Sequence, residues 1–341
     1  MLIGVHLSNR RTAQPQLTEG DKELLRLMVP ALRAVKLFAY HKPDVWEWVF
    51  STVQPELTVV RLDHLDFLST LDEAYADYQG ANVVVELGNE PNHEREMWGG
   101  DLDAFVEWYE RVEAEVGARY PKWKRGFPGL SPQKRPERWL ENRRIKALVR
   151  RADYLCAHAY YSRVDLLTDA VEGGSFQFEH LFYPEKMLLL TEFCYTGGEG
   201  GQPRERWRLA GDYVRYALWV KDRPYVRALC YFILGSDDPQ WEKVGETFDE
   251  TMARAIGGIR LGDSMESYVD ILGDLARRFP EVAREWVKDG GGRNNLRKHL
   301  LGIGCIEPTL DDLEFLADEA IASATQVKNA IGMYRSGRFR G

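Results

Sequence analysis

The chain has 341 residues, a formal net charge of −8, and 44% hydrophobic and 29% charged residues, which is the composition of an ordinary globular protein. The acidic balance with dispersed basic residues argues against nucleic acid as the main partner, because phosphate binding needs a concentrated basic face. The sequence has no run of about 18 apolar residues, which a membrane span would need. The start MLIGVHLSNR lacks the features of a secretory signal. We therefore expect a cytoplasmic protein, or a secreted one if a signal segment has been removed.

Short apolar runs alternate with helical periodicities from the first residues onward. The runs predict strands at Leu2–Leu7, Ala34–Ala39, Leu57–Leu62, Asn82–Leu87, Lys122–Phe127, Tyr154–Ala159, Met187–Glu192 and Val226–Leu234. The stretches between them predict helices at Glu19–Val29, Asp44–Val53, Asp66–Tyr78, Asp101–Arg119, Pro136–Arg151, Leu166–Val171, Arg204–Lys221 and Phe248–Ile256. Continuous apolar runs are typical of parallel strands that are covered on both faces.

Eight strands alternating with helices predict an α/β fold, a (β/α)8 TIM barrel over residues 1–262. A doubly wound open sheet is the alternative. That fold often has a glycine-rich phosphate loop after its first strand, and none follows the first strand here. The barrel is therefore the preferred prediction.

The pattern changes after residue 262. Residues 263–341 have helical periodicity without a strand-like run, so we expect a helical C-terminal extension. Three roles stay open for it: docking the barrel onto a partner, forming a homo-oligomer, or packing on the barrel's outer wall. The four cysteines show neither CxxC spacing nor a metal pattern, and we expect reduced buried thiols.

Titratable side chains occur where several predicted strands end. The fourth strand closes on Asn89, Glu90 and Pro91, and the seventh closes on Glu192. In a barrel of this kind the reacting groups sit at the carboxyl ends of the strands, so the two glutamates should face each other across the mouth. One protonated and one ionised carboxyl group in that arrangement can cleave a glycosidic bond.

With His158 and Tyr160 ending the sixth strand, this set resembles the clan A glycoside hydrolases and is most similar to family 5. The resemblance covers about residues 1–258. It implies retention of configuration, with Glu90 as acid/base and Glu192 as nucleophile. It also implies that Asn89 binds the sugar 2-hydroxyl, that Tyr160 orients Glu192, and that His158 lines a subsite.

Further residues are expected to bind substrate, although each is also compatible with ordinary packing. His64, after the third strand, resembles a family 5 histidine, and Arg61 on that strand could hold hydroxyls. Aromatic rings stack on the apolar faces of sugars, which makes the following residues platform candidates: Tyr40, Trp98, Tyr195, Phe232 and Trp241. Weaker candidates near strand ends are His6, Lys36, His41 and Glu86. No metal motif and no phosphate loop is present, so we expect no metal and no cofactor.

The sequence thus predicts a retaining hydrolase of β-linked sugars, with carbohydrate as its partner. The alternatives are a carbohydrate-binding barrel without catalysis and a barrel whose helical extension serves mainly for interaction. Which sugar is cut, and whether the enzyme acts inside or at the end of a chain, stays open.

Overall fold

The computed structural model describes residues 1–11, 15–134, 136–163, 166–170, 172–197, 205–237 and 247–261. It divides the chain into two units. The first comprises Met1–Arg204 and Arg223–Glu250, and the second contributes 205–222 and 251–261 to the described residues. The extension predicted at 263–341 lies outside the described residues, so its boundary and its roles stay predictions.

The first unit contains a closed barrel of eight parallel strands in sequential order within the described residues. The strands are β1 (Leu2–His6), β2 (Leu32–Phe38), β3 (Leu57–Leu62), β4 (Val83–Leu87), β5 (Lys124–Phe127), β6 (Tyr154–Tyr161), β7 (Leu188–Tyr195) and β8 (Val226–Tyr231). The predicted (β/α)8 barrel is therefore confirmed. Two strands end later than predicted: β6 continues past Ala159 to Tyr161, and β7 continues past Glu192 to Tyr195.

Helices follow the strands in chain order. They are α1 (Glu19–Met28), α2 (Pro43–Thr52), α3 (Leu68–Tyr78), α4 (Leu102–Arg119), α5 (Pro136–Leu140), α6 (Arg143–Arg151), α7 (Phe176–Phe182), α8 (Arg206–Val220) and α9 (Glu250–Gly257). The long helix predicted over 136–151 is two helices, because Asn142 caps a new helix with its side chain. The helix predicted at Leu166–Val171 is wrong, since the described residues there form turns and α7 begins only at Phe176. None of the described helices has the length and hydropathy needed to span a bilayer.

Local signals explain where the helices begin. Thr18 and Asp21 form a capping box at the start of α1. Pro43 occupies the first turn of α2, where its missing amide hydrogen is tolerated. Asp101 accepts hydrogen bonds from two amides at the start of α4. These local signals fix the residues at which the three helices begin.

The lower barrel interior is apolar. Its fully or nearly buried residues are Leu2, Ala34, Leu57, Val59, Val84, Cys156, Leu189, Ala228 and Cys230. Several tryptophans serve the barrel wall, as in the stacked pair Trp46 and Trp123, whose ring centroids lie 5.9 Å apart. Five of the tryptophans are buried in the core: Trp46, Trp98, Trp108, Trp123 and Trp139. Cys156, Cys194 and Cys230 are buried thiols, as expected, and Cys305 lies outside the described residues.

The close fit at Gly4 generates a stability prediction. A Cβ atom there would lie 2.8 Å from Cys230 Sγ and 3.0 Å from the carbonyl oxygen of Ala34. We expect Gly4→Ala to lower the free energy of unfolding by about 1–3 kcal/mol, because the barrel interior would be overpacked. Gly80→Ala, which meets no atom within 4 Å, is the matched control and should change it by less than about 0.5 kcal/mol. Equal effects in urea unfolding would contradict this close packing.

Glu179 on α7 generates a second prediction. It is 1% exposed, and burial raises the pKa of its carboxyl group from 4.5 to about 8. Between these values the folded protein keeps a proton that the unfolded chain releases. The free energy of unfolding should therefore fall as pH rises through this window, by up to roughly 1.4 kcal/mol per pH unit. Urea unfolding at several pH values from 5 to 8 measures this decrease, which should be smaller in Glu179→Gln. If the unfolding free energies of the two proteins depend on pH in the same way, the prediction is contradicted.

Candidate active site

Charged side chains form the layer of the barrel interior directly above the apolar one. Side chains alternate along a strand, so residues two positions beyond Ala34, Val59 and Val84 face the same interior. These are Lys36 on β2, Arg61 on β3 and Glu86 on β4. Arg61 is paired with Glu86 in the strand register. The same alternation on β6 places His158 and Tyr160 on the inward face, because Cys156, two residues before His158, faces the interior.

A β-bulge on β7 brings two consecutive side chains to this interior. Ala157 pairs with Leu190 but His158 pairs with Glu192, so Thr191 is the extra residue of the bulge. The Thr191 hydroxyl donates to Glu86 Oε1 over 2.8 Å, and Glu192 also points inward. The prediction that Glu192 ends its strand is therefore wrong. Glu192 lies inside β7, because pairing with β6 continues to Tyr195.

Glu192 is held by cations on one carboxylate oxygen and by a phenol on the other. Oε1 accepts from Lys36 Nζ at 3.0 Å and from an Arg61 guanidinium nitrogen at 3.3 Å. Oε2 accepts from the Tyr160 hydroxyl at 2.6 Å. Burial acts to raise the pKa of Glu192, but the charge of Lys36, followed by two histidines and Arg61, outweighs it and holds the pKa well below 4.5. Glu192 is thus ionised at neutral pH and oriented at both oxygens.

Glu90 sits just beyond β4 in an uncommon backbone conformation. Its φ is 38°, in the left-handed region that costs a non-glycine residue about 1–2 kcal/mol. Its amide donates to the Gly129 carbonyl at 3.0 Å, and its carbonyl accepts from the His93 amide at 2.8 Å. These two bonds hold the strained residue in place, and strain of this kind often occurs at functional sites.

Contacts connect the two glutamates through β6. Glu90 Oε1 lies 2.8 Å from His158 Nδ1, and this nitrogen lies 3.0 Å from the Tyr160 hydroxyl. The hydroxyl in turn contacts Glu192 at 2.6 Å. Glu90 Oε1 and Glu192 Oε2 can therefore be no farther apart than the sum of these three distances. That sum is less than the upper limit of about 9.5 Å for the two carboxyl groups of a glycosidase.

The structure places the other predicted residues as follows. Asn89 is 5% exposed, and its Oδ1 has no hydrogen-bond partner within the described part of the chain. His158 is fully buried and contacts Glu90. Arg61 bridges Glu192 and Asp63, and its guanidinium lies 5.0 Å from the centre of the Phe38 ring.

The aromatic candidates differ in their accessibility. Tyr40 is partly exposed and stacks on Phe38 at 4.8 Å. Phe232 is buried against His6 with centroids 5.0 Å apart. Trp98 is also buried: its ring covers Gly88, where φ is 106° and an added Cβ would lie 2.9 Å from the ring, so only glycine fits there. Of these three rings only that of Tyr40 is partly exposed, which makes it the better platform candidate of the three.

Four candidates remain, one of which lies outside the described residues. His64 is exposed and meets Phe67 edge-on at 5.7 Å. His41 is buried, with Nε2 3.0 Å from the Ser8 carbonyl oxygen. Tyr195 is buried beside Tyr161, and Trp241 lies outside the described residues. Their substrate-binding roles stay predictions.

Two residues were missed by the sequence analysis. Thr191 contacts Glu86, and strict alternation from Leu189 was a signal that could have identified it. Phe38 contacts Arg61, Tyr40 and His6. It lies two residues after Lys36 on β2, so strand alternation could have predicted that it faces the same interior. Among the described residues, no group of three or more His, Cys, Asp or Glu side chains is arranged to hold a metal ion.

The buried lysine generates a prediction that needs no substrate. Lys36 is fully buried and lies 2.8 Å from Glu86 and 3.0 Å from Glu192. Lys36→Met should cost about 3–5 kcal/mol of unfolding free energy, because two buried carboxylates lose their partner. Lys22→Met is the matched control, since Lys22 pairs with the exposed Glu19 at 2.6 Å, and it should cost at most about 1 kcal/mol. Similar losses in urea unfolding would contradict a buried charged layer.

Comparison with known proteins gives structural relatives only. The sequence matches no family model and no curated protein. A glycoside hydrolase family 39 enzyme from Xanthomonas axonopodis pv. citri has a TM-score of 0.52 and 11% identity, with 75% of this chain and 65% of that chain covered. A family 17 β-1,3-glucanosyltransferase from Rhizomucor miehei has a TM-score of 0.51 and 14% identity, with 72% and 91% covered.

A third relative is a family 128 endo-β-1,3-glucanase from Amycolatopsis mediterranei, in complex with laminaripentaose. Its TM-score is 0.50 and its identity 18%, and the match covers 76% of this chain and 99% of that one. At such identities the likeness shows a shared fold. This chain therefore has the barrel fold of these glycoside hydrolases.

Proposed function

We propose that this protein is a retaining glycoside hydrolase that acts on β-linked sugars. The observation that carries the proposal is the pair of glutamates Glu90 and Glu192, connected by three short contacts through His158 and Tyr160. The two carboxyl groups differ in their surroundings. One is buried with two cations, and the other is slightly exposed beside an imidazole.

Glu192 is the proposed nucleophile. Its ionised state, supported by Lys36 and Arg61, suits attack on an anomeric carbon. The Tyr160 hydroxyl holds Oε2 in one orientation, which reduces the entropy that the attack must lose. Attack forms a glycosyl ester on Glu192 and breaks the bond from the anomeric carbon to the leaving oxygen.

Glu90 is the proposed acid/base. In the first step its carboxyl proton passes to the leaving oxygen, and in the second step its carboxylate takes a proton from water as the water attacks the anomeric carbon. The second step breaks the ester, returns Glu192 as a carboxylate and releases the sugar with its original configuration. His158 Nδ1, at 2.8 Å from Glu90, would orient this side chain in both steps.

Asn89 supports the proposal in a second way. Its buried Oδ1 without a partner is an acceptor that a sugar hydroxyl can satisfy, and an unsatisfied buried carbonyl otherwise costs free energy. Its position directly before Glu90 fits the predicted contact with the 2-hydroxyl. Whether the pattern is that of family 5 in particular stays part of the proposal, as do the clan assignment and carbohydrate as the partner.

The first substrate to test is a β-1,3-glucan. Two of the structural relatives are a β-1,3-glucanase and a β-1,3-glucanosyltransferase, which makes laminarin and its oligosaccharides the natural start of a screen. Other β-glucans, mannan, xylan and nitrophenyl β-glycosides complete it, with released sugar as the readout. Turnover of none of them, together with binding of one, would favour the alternative of a carbohydrate-binding barrel without catalysis.

The two glutamates generate the functional prediction. On the best aryl glycoside found, Glu192→Ala should lose at least about 10³-fold in kcat, and added azide should restore turnover as the α-glycosyl azide. Glu90→Ala should lose about 10²–10⁴-fold on substrates with poor leaving groups, and azide should yield the β-glycosyl azide.

The control for both variants is Glu94→Ala, which removes an exposed glutamate of the same loop that pairs with Lys134. It should leave kcat within about twofold. Wild-type activity in Glu192→Ala, with the fold verified by circular dichroism, would contradict the assignment.

A further inference from the structure

Glu86 is a third carboxylate beneath the two proposed catalytic ones. It lies on β4, four residues before Glu90, and is fully buried. Three groups from other strands or loops contact it: Lys36 Nζ at 2.8 Å, the Thr191 hydroxyl at 2.8 Å and the Gly129 amide at 3.2 Å. A buried carboxylate with this many partners is fixed in one rotamer. The proposed reaction gives Glu86 no role so far.

Lys36 is shared between Glu86 and Glu192. Its ammonium group is fully buried and lies at nearly equal distance from the two carboxylates, 2.8 Å from Glu86 Oε2 and 3.0 Å from Glu192 Oε1. Burial acts to lower the pKa of Lys36, but the charges of Glu192 and Glu86 raise it above 10.5. The lysine therefore stays charged and has two counter-ions.

Each cation that contacts Glu192 has a second carboxylate partner. Arg61 pairs with Asp63 at 3.2 Å, and Lys36 pairs with Glu86 at 2.8 Å. Once Glu192 becomes a glycosyl ester it is neutral, and a lysine paired with Glu192 alone would be left as a buried charge without a partner, which is strongly unfavourable. Glu86 remains as the counter-ion of Lys36 at that stage.

We propose that Glu86 is a positioning residue that acts through Lys36: it holds the ammonium group between the two carboxylates and supplies its counter-charge while Glu192 is esterified. This inference rests on the proposed function. It assigns Glu86 to the first chemical step in particular, because that step removes the charge of Glu192. Interactions that favour the charge-neutralised state over the ground state accelerate such a step.

The test separates formation of the ester from its hydrolysis. Glu86→Gln keeps the size of the side chain and its acceptor oxygen for Thr191 and Gly129, but removes the charge. A 2-deoxy-2-fluoroglycosyl fluoride of the sugar found in the screen traps the ester on Glu192. The rate of trapping should fall about 10–100-fold, whereas hydrolysis of the trapped ester should be unchanged or faster, since loss of the ester restores the partner of Lys36.

Two comparison variants sharpen the result. Thr191→Val removes one hydrogen bond to Glu86 but keeps all charges, and trapping should stay within about threefold of wild type. The double variant Lys36→Met/Glu86→Gln removes the unpaired lysine, so its trapping rate should lie closer to wild type than that of Glu86→Gln. If Glu86→Gln alone does not fold, the double variant, which lacks the lysine, should fold, and failure of both variants to fold would overturn the inference. Equal slowing of both steps in Glu86→Gln, or no recovery in the double variant, would overturn the inference.

A measurement without substrate distinguishes failure of this inference from failure of the proposed function. ¹⁵N NMR of the Lys36 ammonium should show the wild-type group charged above pH 10.5 and the group in Glu86→Gln titrating at lower pH. A wild-type protein that neither hydrolyses a glycoside nor becomes labelled would defeat the proposed function. An unchanged Lys36 titration in Glu86→Gln would defeat the lysine sharing, whichever result the activity screen gives.

Discussion

A fully buried lysine with a carboxylate on either side is the interaction on which the site depends. Lys36 connects β2 to β4 through Glu86 and β2 to β7 through Glu192. Removing three charges from water costs several kcal/mol each, and the cost is offset only by close pairing and complete hydrogen bonding. The arrangement therefore leaves little freedom in how these strands are placed. The position of Glu192 follows from that constraint.

Gly129 contacts both the strained residue Glu90 and the buried charged layer. Glu90 adopts the left-handed conformation and is held by the Gly129 carbonyl. Gly129 also donates its amide to Glu86, so one residue after β5 contacts both the strained loop and the buried layer. Gly129 thereby connects the charged layer to the backbone of Glu90. Such a connection suits the proposed acid/base and nucleophile pair, whose separation must stay fixed.

The barrel itself could be predicted from the sequence because its signals are local. Apolar runs of strand length and helix caps such as Thr18 and Asp101 depend on neighbouring residues alone. The prediction of a helix at Leu166–Val171 failed because a short periodic stretch does not outweigh the Gly173-Gly174 turn that follows. The position of Glu90 was also predictable, since it closely follows the predicted fourth strand and directly precedes Pro91.

The details of the site could not be predicted, because they depend on pairing between distant strands. Alternation from Leu189 sends Thr191 inward and Glu192 outward, and only the bulge opposite Ala157 and His158 lets both face the interior. Likewise, no sequence pattern shows that Trp98 covers Gly88 or that His158 is buried against Glu90. Alternation shows that Lys36 on β2 and Glu86 on β4 both face the barrel interior. Their contact, however, depends on how the barrel closes.

The most direct test of the central claim is a crystal structure of Glu90→Gln with an intact oligosaccharide that the wild-type protein hydrolyses. The account predicts the glycosidic oxygen within hydrogen-bond distance of residue 90. A Glu192 carboxylate oxygen should lie about 3–3.5 Å from the anomeric carbon, on the opposite side of the sugar ring. A sugar bound elsewhere, or with both side chains on the same face of the ring, would contradict it.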